Sequence, residues 1–351
     1  MSSHGGEIRR VAGILFMIFA LVPLTMTLAR AEDDASFYRG KLITFIVGSG
    51  AGGVYDVSAR VLAPFLTAHI PGNPKIVIEN MPGASGLKSA SYMASAAPRD
   101  GTVIALPLAS VGTAQLLTPS GANFDPTKFS WVGSITRDPY IGYVWHTSPI
   151  QTLDDLKTKE VVMGADSLGS AGADVAVIAK AFLGLKIKLV LGYTDSPAVK
   201  LAMEKGEVEG TFANALADLK TQRPEWIRDG TVRIIVQHGF ERSPELPNVP
   251  LLIDLARTDA DRQALKLLLA RQEFAKPIFA PPGIPAARLA ILRRAFDESM
   301  QDPAFLKASR DARLSVDSPM SGADLAKAIN DLGATPHDVV QRMLDAFANY
   351  K

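Results

Sequence analysis

From Lys41 to His69 the chain reads as a strand, a glycine loop and a helix in immediate succession. KLITFIV is an apolar, β-branched run, GSGAGG at 48–53 carries no charged side chain, and Val54 to His69 is amphipathic. Such a junction aims several backbone N–H groups and the positive end of a helix dipole at one spot, an anion-binding site made of main chain. The unit then recurs. KIVIE, a helix near Leu87 to Ala97 and GTVIALPL complete a first set, and WVGSIT and YIGYVWH follow. After TLDDLK the alternation resumes with VVMGA, a helix near Ala171 to Leu183, KIKLVLGY, a helix near Pro197 to Lys205, VEGTFAN and TVRIIVQH. Alternation of this kind predicts an α/β fold, each lobe a mixed, mostly parallel sheet flanked by helices. A chain of this length fits two such lobes.

The last third behaves differently. LPNVPLL leads into a Leu- and Ala-rich helix near Arg262 to Arg271, one strand in FAKPIFA, the turn APPGIP and several helices, the first opening behind Pro285 and running from Ala286 to Met300. One strand with several helices cannot make its own core, so the chain is expected to cross back. The expected layout is a first lobe over 32–138, a second over 139–240, and a return to the first over 241–351 with the C-terminal helices. Crossings near 137–139 and 239–250 would form a hinge.

The first 31 residues read as a cleaved targeting segment. Arg9 and Arg10 precede the apolar VAGILFMIFALVPLTMTLA, and Ala29-Arg30-Ala31 supplies the small-x-small site, so cleavage after Ala31 and export to the periplasm are expected. Removing these residues shifts the net charge from +1 to about −1, too little to gather a polyanion, and nucleic acid is excluded as a partner. The chain contains no cysteine, which excludes disulfides, thiol nucleophiles and thiolate metal sites.

Four uncharged loops fall at the C-terminal ends of strands, where α/β sheets place ligands. They are 48–55, 81–86 (MPGASG), 109–113 (ASVGT) and 166–171 (DSLGSA). A cleft between lobes lined by amides and small hydroxyls follows. Tyr55 could donate its hydroxyl to a ligand oxygen or simply pack; Asp56, two residues into the helix, reads as a structural cap. Ser85, Ser110, Ser167 and Ser170 are hydroxyl donors, and Asn214 is an amide donor after the TFA strand. Trp131 and Trp145 read as packing. Two enzyme classes compete. GSGAGG satisfies G-x-G-x-x-G with Glu79 ending the next strand, the fingerprint of an NAD(P)-binding Rossmann-type oxidoreductase. A secreted hydrolase is weaker, since GASG at 83–86 is not a nucleophile elbow and no histidine stands beside a nucleophile motif. No catalytic residue, metal or cofactor is assigned.

The segments IVGSGAGGVYD, HIPGNPKIVIENMPGASG, FDPTKFSWVGS, LGYTDSPAVKLAMEKGEVEG, LPNVPLL and PIFAPPGIP occur in this order. Together they resemble the periplasmic receptors of tripartite tricarboxylate transporters, from about Phe37 to Ala346. The resemblance implies a two-lobed periplasmic binding fold of type II character, with no enzymatic activity. It implies a monomer that closes by hinge motion on a mono-, di- or tricarboxylate and hands it to membrane permease subunits. The family's first carboxylate-gripping loop corresponds to Ser49, Gly50, Ala51, Gly52, Gly53, Tyr55 and Asp56. Its second corresponds to Pro82, Gly83, Ala84, Ser85 and Gly86, and its second-lobe clamp to Ser167, Leu168, Gly169, Ser170 and Ala171. Where many relatives carry a third glycine this chain has Val54, and where close relatives often carry an arginine it has Ser110, which argues against a second carboxylate in the ligand.

Overall fold

The computed structural model describes residues 36–350 except 119–120, 138, 167, 169 and 194–195, and leaves aside the side chains of 85, 213, 218 and 221. The targeting segment lies outside these residues. Two sheets organise the rest. The first contains β1 (Leu42–Val47), β2 (Lys75–Asn80), β3 (Val103–Leu106), β4 (Ser130–Ser134) and, from the chain's last third, β10 (Pro277–Ala280) and β11 (Met320–Ser321), in the order β2-β1-β3-β10-β4-β11. The second contains β5 (Tyr140–Trp145), β6 (Val161–Gly164), β7 (Ile187–Val190), β8 (Gly210–Ala215) and β9 (Val232–His238), in the order β7-β6-β8-β5-β9.

Helices α1 (Val54–His69), α2 (Leu87–Ser95) and the short α3 (Ala114–Leu117) belong to the first run of the chain. The second run supplies α4 (Ala171–Leu183), α5 (Ser196–Glu204), α6 (Leu216–Gln222) and α7 (Pro224–Arg228). The last third supplies α8 (Asp259–Glu273), α9 (Ala286–Gln301), α10 (Pro303–Asp311), α11 (Gly322–Gly333) and α12 (His337–Ala348).

Each sheet is mixed, with most of its strands pointing one way and a minority reversed. In the first, β2-β1-β3 are parallel while β10 runs antiparallel to both β3 and β4. In the second, β7-β6-β8 are parallel while β5 runs antiparallel to β8 and β9. The reason lies in the connections. A strand reached through a helical crossover in its own sheet is held parallel, whereas β5 and β10 arrive from the other sheet and escape that constraint.

In the first sheet β1 is covered by α1 and α9 through Phe45, Leu62, Leu292 and Phe296. The close approach explains the glycine in β4: a Cβ on Gly133 would lie 2.2 Å from the Phe296 ring. On the other face Phe129 stacks on Phe279 at 4.1 Å with Trp131 edge-on at 5.1 Å. That cluster runs through Leu268 and Phe274 of the α8 region to Val175 and Ile178 of α4, so α8 packs on both lobes. α12 packs on α4 and α8. The start of α8 is written in its sequence: Thr258 Oγ1 accepts from Asp261 N at 3.1 Å and Asp261 Oδ2 accepts from Thr258 N at 3.2 Å, a capping box. No helix among the described residues is long and apolar enough to cross a membrane.

Candidate functional site

The glycine loop is fixed by the helix it opens. Asp56 is 2% exposed. It accepts from Gly52 N at 2.8 Å, Arg60 Nε at 2.9 Å and Asn80 Nδ2 at 2.9 Å. The Arg60 hydrogen bond outweighs burial and, with the bonds from Gly52 and Asn80, holds its carboxyl down at about 2. Asn80 Nδ2 also donates to Ser49 O at 3.0 Å, stapling the loop to the end of β2. Asp56 is therefore the loop's anchor, and a ligand meets no bare carboxylate there.

Three loops converge at this end of the first sheet. A Cβ on Gly48 would lie 2.9 Å from Ser89 Oγ and 3.0 Å from Pro107 Cα, so only glycine lets them meet. The 82–86 turn uses left-handed or glycine-only backbone at Gly83 (φ 142), Ala84 (φ 46) and Gly86 (φ 87), and Gly86 packs against Leu108.

Between the two lobes lies a cavity of about 1030 Å3. From the first lobe it is lined by Val54 and Tyr55 at the start of α1 and by Leu108 to Ser110 after β3. Tyr140, Ala171 and Ala217 line it from the second. The end of α8 and the chain beyond it add Arg271, Gln272, Ala275 and Lys276, and α10 with the chain after it adds Arg310, Arg313 and Asp317. Several predicted site residues do gather here: Tyr55, Ser110 and Ala171. Others do not line it. Ser49, Gly50, Ala51, Gly52 and Gly53 stand at its edge, with the Gly52 amide committed to Asp56 and Gly53 N directed at Gly50 O at 3.5 Å. A pyrophosphate cradle would draw on these amides, and the Gly52 one is already spent on Asp56. Gly86 packs against Leu108 after β3, and Pro82, Gly83, Ala84 and Gly86 are not part of the cavity wall.

On the second lobe Ser167 and Gly169 lie outside the described residues. Leu168 is 41% exposed, and Ser170 caps α4 by accepting from Ala173 N at 3.4 Å. Asn214 is turned inward: its Oδ1 accepts from Ser196 Oγ at 3.0 Å and it does not line the cavity. The amide of a strand-end asparagine there ties β8 to α5.

The sequence leaves Tyr55 two roles, ligand donor or packing, and the structure shows its hydroxyl bonding within the protein. Its hydroxyl donates to Ala275 O at 2.8 Å and accepts from Ala109 N at 3.4 Å, joining α1 to the segment before β10. Tyr55→Phe is thus expected to lower unfolding free energy by about 0.5–1.5 kcal/mol, read from urea titration, by leaving the Ala275 carbonyl without that donor.

The cationic walls were missed by sequence reasoning. Arg271 Nη2 donates to Asp174 Oδ2 at 2.7 Å, joining α8 to the first turn of α4. Arg313 follows α10 with φ 57, a place glycine usually takes, and its side chain lines the cavity. Nothing local in RQEFAK or SRDARL marks them, since only the return of the chain across both sheets brings these segments to the cleft. Where the chain passes between the sheets, Glu273 Oε1 accepts from Phe240 N at 3.0 Å and Glu273 Oε2 faces Arg137 Nη1 at 3.5 Å. Burial pushes the Glu273 carboxyl up.

Comparison with known proteins bears on this site. The family model described as tripartite tricarboxylate transporter family receptor matches residues 59–344. Protein BugT of Bordetella pertussis is 27% identical over 292 residues, covering 79% of this chain and 82% of its own length. A solved TctC solute-binding protein from Polaromonas superposes with a TM-score of 0.68 at 18% identity, over 87% of this chain and 99% of that one. The R. palustris protein Rpa4515, solved with adipate, superposes with a TM-score of 0.57 at 23% identity, over 86% of this chain and 97% of its own. These likenesses place the fold among two-lobed solute-binding proteins.

Proposed function

The chain belongs to the family of tripartite tricarboxylate transporter receptors, and from that premise we propose that it captures a small organic carboxylate between its lobes in the periplasm and presents it, unaltered, to the permease of such a transporter. One observation carries this reading: a cavity of about 1030 Å3 into which helix starts, a serine loop and cationic side chains converge from separate parts of the chain. Taking a carboxylate out of water costs several kcal/mol, and each charge-assisted hydrogen bond returns about 1.5–3 kcal/mol, so three or four donors on these walls suffice. The adipate bound to the R. palustris neighbour supports a carboxylate as the ligand class. No residue is assigned a catalytic role.

We take 32–138 with 241–351 as one moving body and 139–240 as the other, hinged at 137–139 and 239–250. Closure follows from contacts that the ligand makes only when both bodies reach it. The monomer purified without residues 1–31 is expected to melt at higher temperature in the presence of a bound acid and to show a smaller radius of gyration in solution scattering. A screen of C4 to C8 dicarboxylates, citrate-like acids and aromatic acids tests this. Failure of every acid to produce either change would contradict the receptor reading.

A further inference from the structure

We infer that Glu273 is a positioning residue for ligand capture: its carboxylate clamps the chain crossings between the lobes in their open arrangement and so sets the affinity of the cleft from outside the cavity wall. The inference rests on the receptor reading above. Three stretches of chain meet between the sheets: 135–139 after β4, 239–250 after β9, and 274–276 from α8 into β10. The first and third are already a pair. Ala275 N donates to Thr136 O at 3.2 Å and Ile135 N to Lys276 O at 3.1 Å, extending the β4–β10 pairing of the first lobe. The second is gathered onto β9 of the other lobe, where the Gln237 side chain donates to Leu246 O at 2.9 Å and Val249 O at 2.7 Å and accepts from Ser243 N at 2.8 Å. Glu273 joins the two sets. Its Oε1 accepts from Phe240 N at 3.0 Å, and its Oε2 lies 3.5 Å from Arg137 Nη1, which is itself 3.8 Å from Glu241 Oε2. The Arg137 backbone stays with the first lobe, donating to Asp317 O at 2.9 Å.

The clamp sits at the pivot. Glu273 is buried, and a Cβ on Gly239 would lie 3.5 Å from its Oε1, so the carboxylate rests on the backbone that opens the second crossing. A rotation taken up at Gly239 and Phe240 re-aims the Phe240 amide and gives up a charge-assisted bond. The polar groups around it point the same way. Of the six buried side-chain atoms without a hydrogen-bond partner among the described residues, four belong to Arg137, His238 and Gln272, on or beside these crossings. Unpaired buried groups gathered in one place mark a site whose bonds are exchanged when the chain moves. The cleft of about 1030 Å3 is at the top of the range for sites that bury drug-sized ligands and exceeds what a small acid fills, so the described arrangement is the open one. Neither Glu273 nor Arg137 forms part of the cavity wall. A change at either reaches the ligand only through the balance between open and closed forms, and a larger closed fraction raises the apparent affinity in proportion.

The chain contains no cysteine, so Lys88→Cys in α2 and Leu191→Cys just after β7, both exposed, place one spin label on each lobe of the full mature chain. Pulsed electron paramagnetic resonance then reads the spacing of the lobes without ligand. Glu273→Gln keeps the shape and removes the charge, and is expected to raise the share of the shorter spacing about threefold or more. Arg137→Gln removes the other half of the ion pair, is expected to act in the same direction, and carries the test alone if Glu273→Gln does not fold. Calorimetric titration with adipate is expected to give a dissociation constant about threefold or more lower in the variants, a tightening that loss of a merely structural contact does not produce. A folded variant with unchanged or longer spacings would overturn the inference, as would one that binds adipate more weakly than the unaltered protein. The spacings are read without ligand, so failure of adipate to bind the unaltered protein would count against the receptor reading and leave the clamp to be decided by the spacings.

Discussion

Replacing Asp56 with alanine is expected to lower the unfolding free energy by about 2–3 kcal/mol and to abolish the stabilisation that a bound acid confers. The carboxylate is buried and joins three groups that would otherwise drift apart: the Gly52 amide, the Asn80 side chain and Arg60. Its loss releases the glycine loop from the end of β2, and with it the start of α1, where Val54 and Tyr55 line the cavity. The Gly52 amide is near solvent and water can satisfy it again, which keeps the stability cost moderate. The effect on binding is larger, because the cleft loses a preorganised wall. Asp56→Asn keeps the shape, loses the charge, and should fall between the two. The sign with pH follows from the low carboxyl pKa of about 2 against 3.8: the contribution is complete above 3.8 and is lost as pH falls toward 2. Chemical denaturation with and without the bound acid measures both parts. An alanine variant with full stability and full ligand response would contradict the anchoring role.

Acidification is expected to destabilise the protein well before Asp56 titrates, because His238 is fully buried with neither ring nitrogen hydrogen-bonded among the described residues. It ends β9, pairs in register with Tyr140 and lies 6.0 Å from the Phe212 ring. Burial holds the imidazole neutral, pushing its pKa down to about 3 from 6.5. Between those values the unfolded chain binds the extra proton, so stability is full above pH 6.5 and falls as pH drops through this window. From pH 6.5 to 4.5 the loss attributable to this one group is about 2–3 kcal/mol. Glu273, whose carboxyl is pushed up by burial, acts in the opposite sense and is common to the protein and its variant. Leucine at 238 keeps the volume and removes the titration, so melting of His238→Leu should decline less steeply than that of the unaltered protein over pH 7.5 to 4.5. Parallel declines would contradict the assignment.

The elements were largely legible in the sequence because they are locally consistent. Helix α1 begins and ends at the predicted Val54 and His69, and α4 at Ala171 and Leu183, since each starts behind a loop of small residues and carries apolar residues at helical spacing. Strand direction was less legible. Runs such as YIGYVWH and FAKPIFA look alike whether they run with or against their neighbours, and only the crossings between sheets decided the matter. Of the site, the convergence of loops was readable, as Gly48 and Ser110 show. What each group does was not. Tyr55, which the sequence leaves open between ligand donor and packing, bonds to a carbonyl 220 residues away, at Ala275. Arg271 and Gln272 reach the cleft from a helix whose sequence marks only its start and its buried face. Groups placed by tertiary return leave no periodicity to find.

A crystal structure of the mature chain grown with a saturating dicarboxylate tests the central claim most directly. The account predicts the acid between the Tyr55 to Ser110 wall and the start of α4, chemically intact, with the two sheets drawn closer together around it. An acid bound outside this cavity, or a cleft of unchanged width with the acid inside it, would contradict the account.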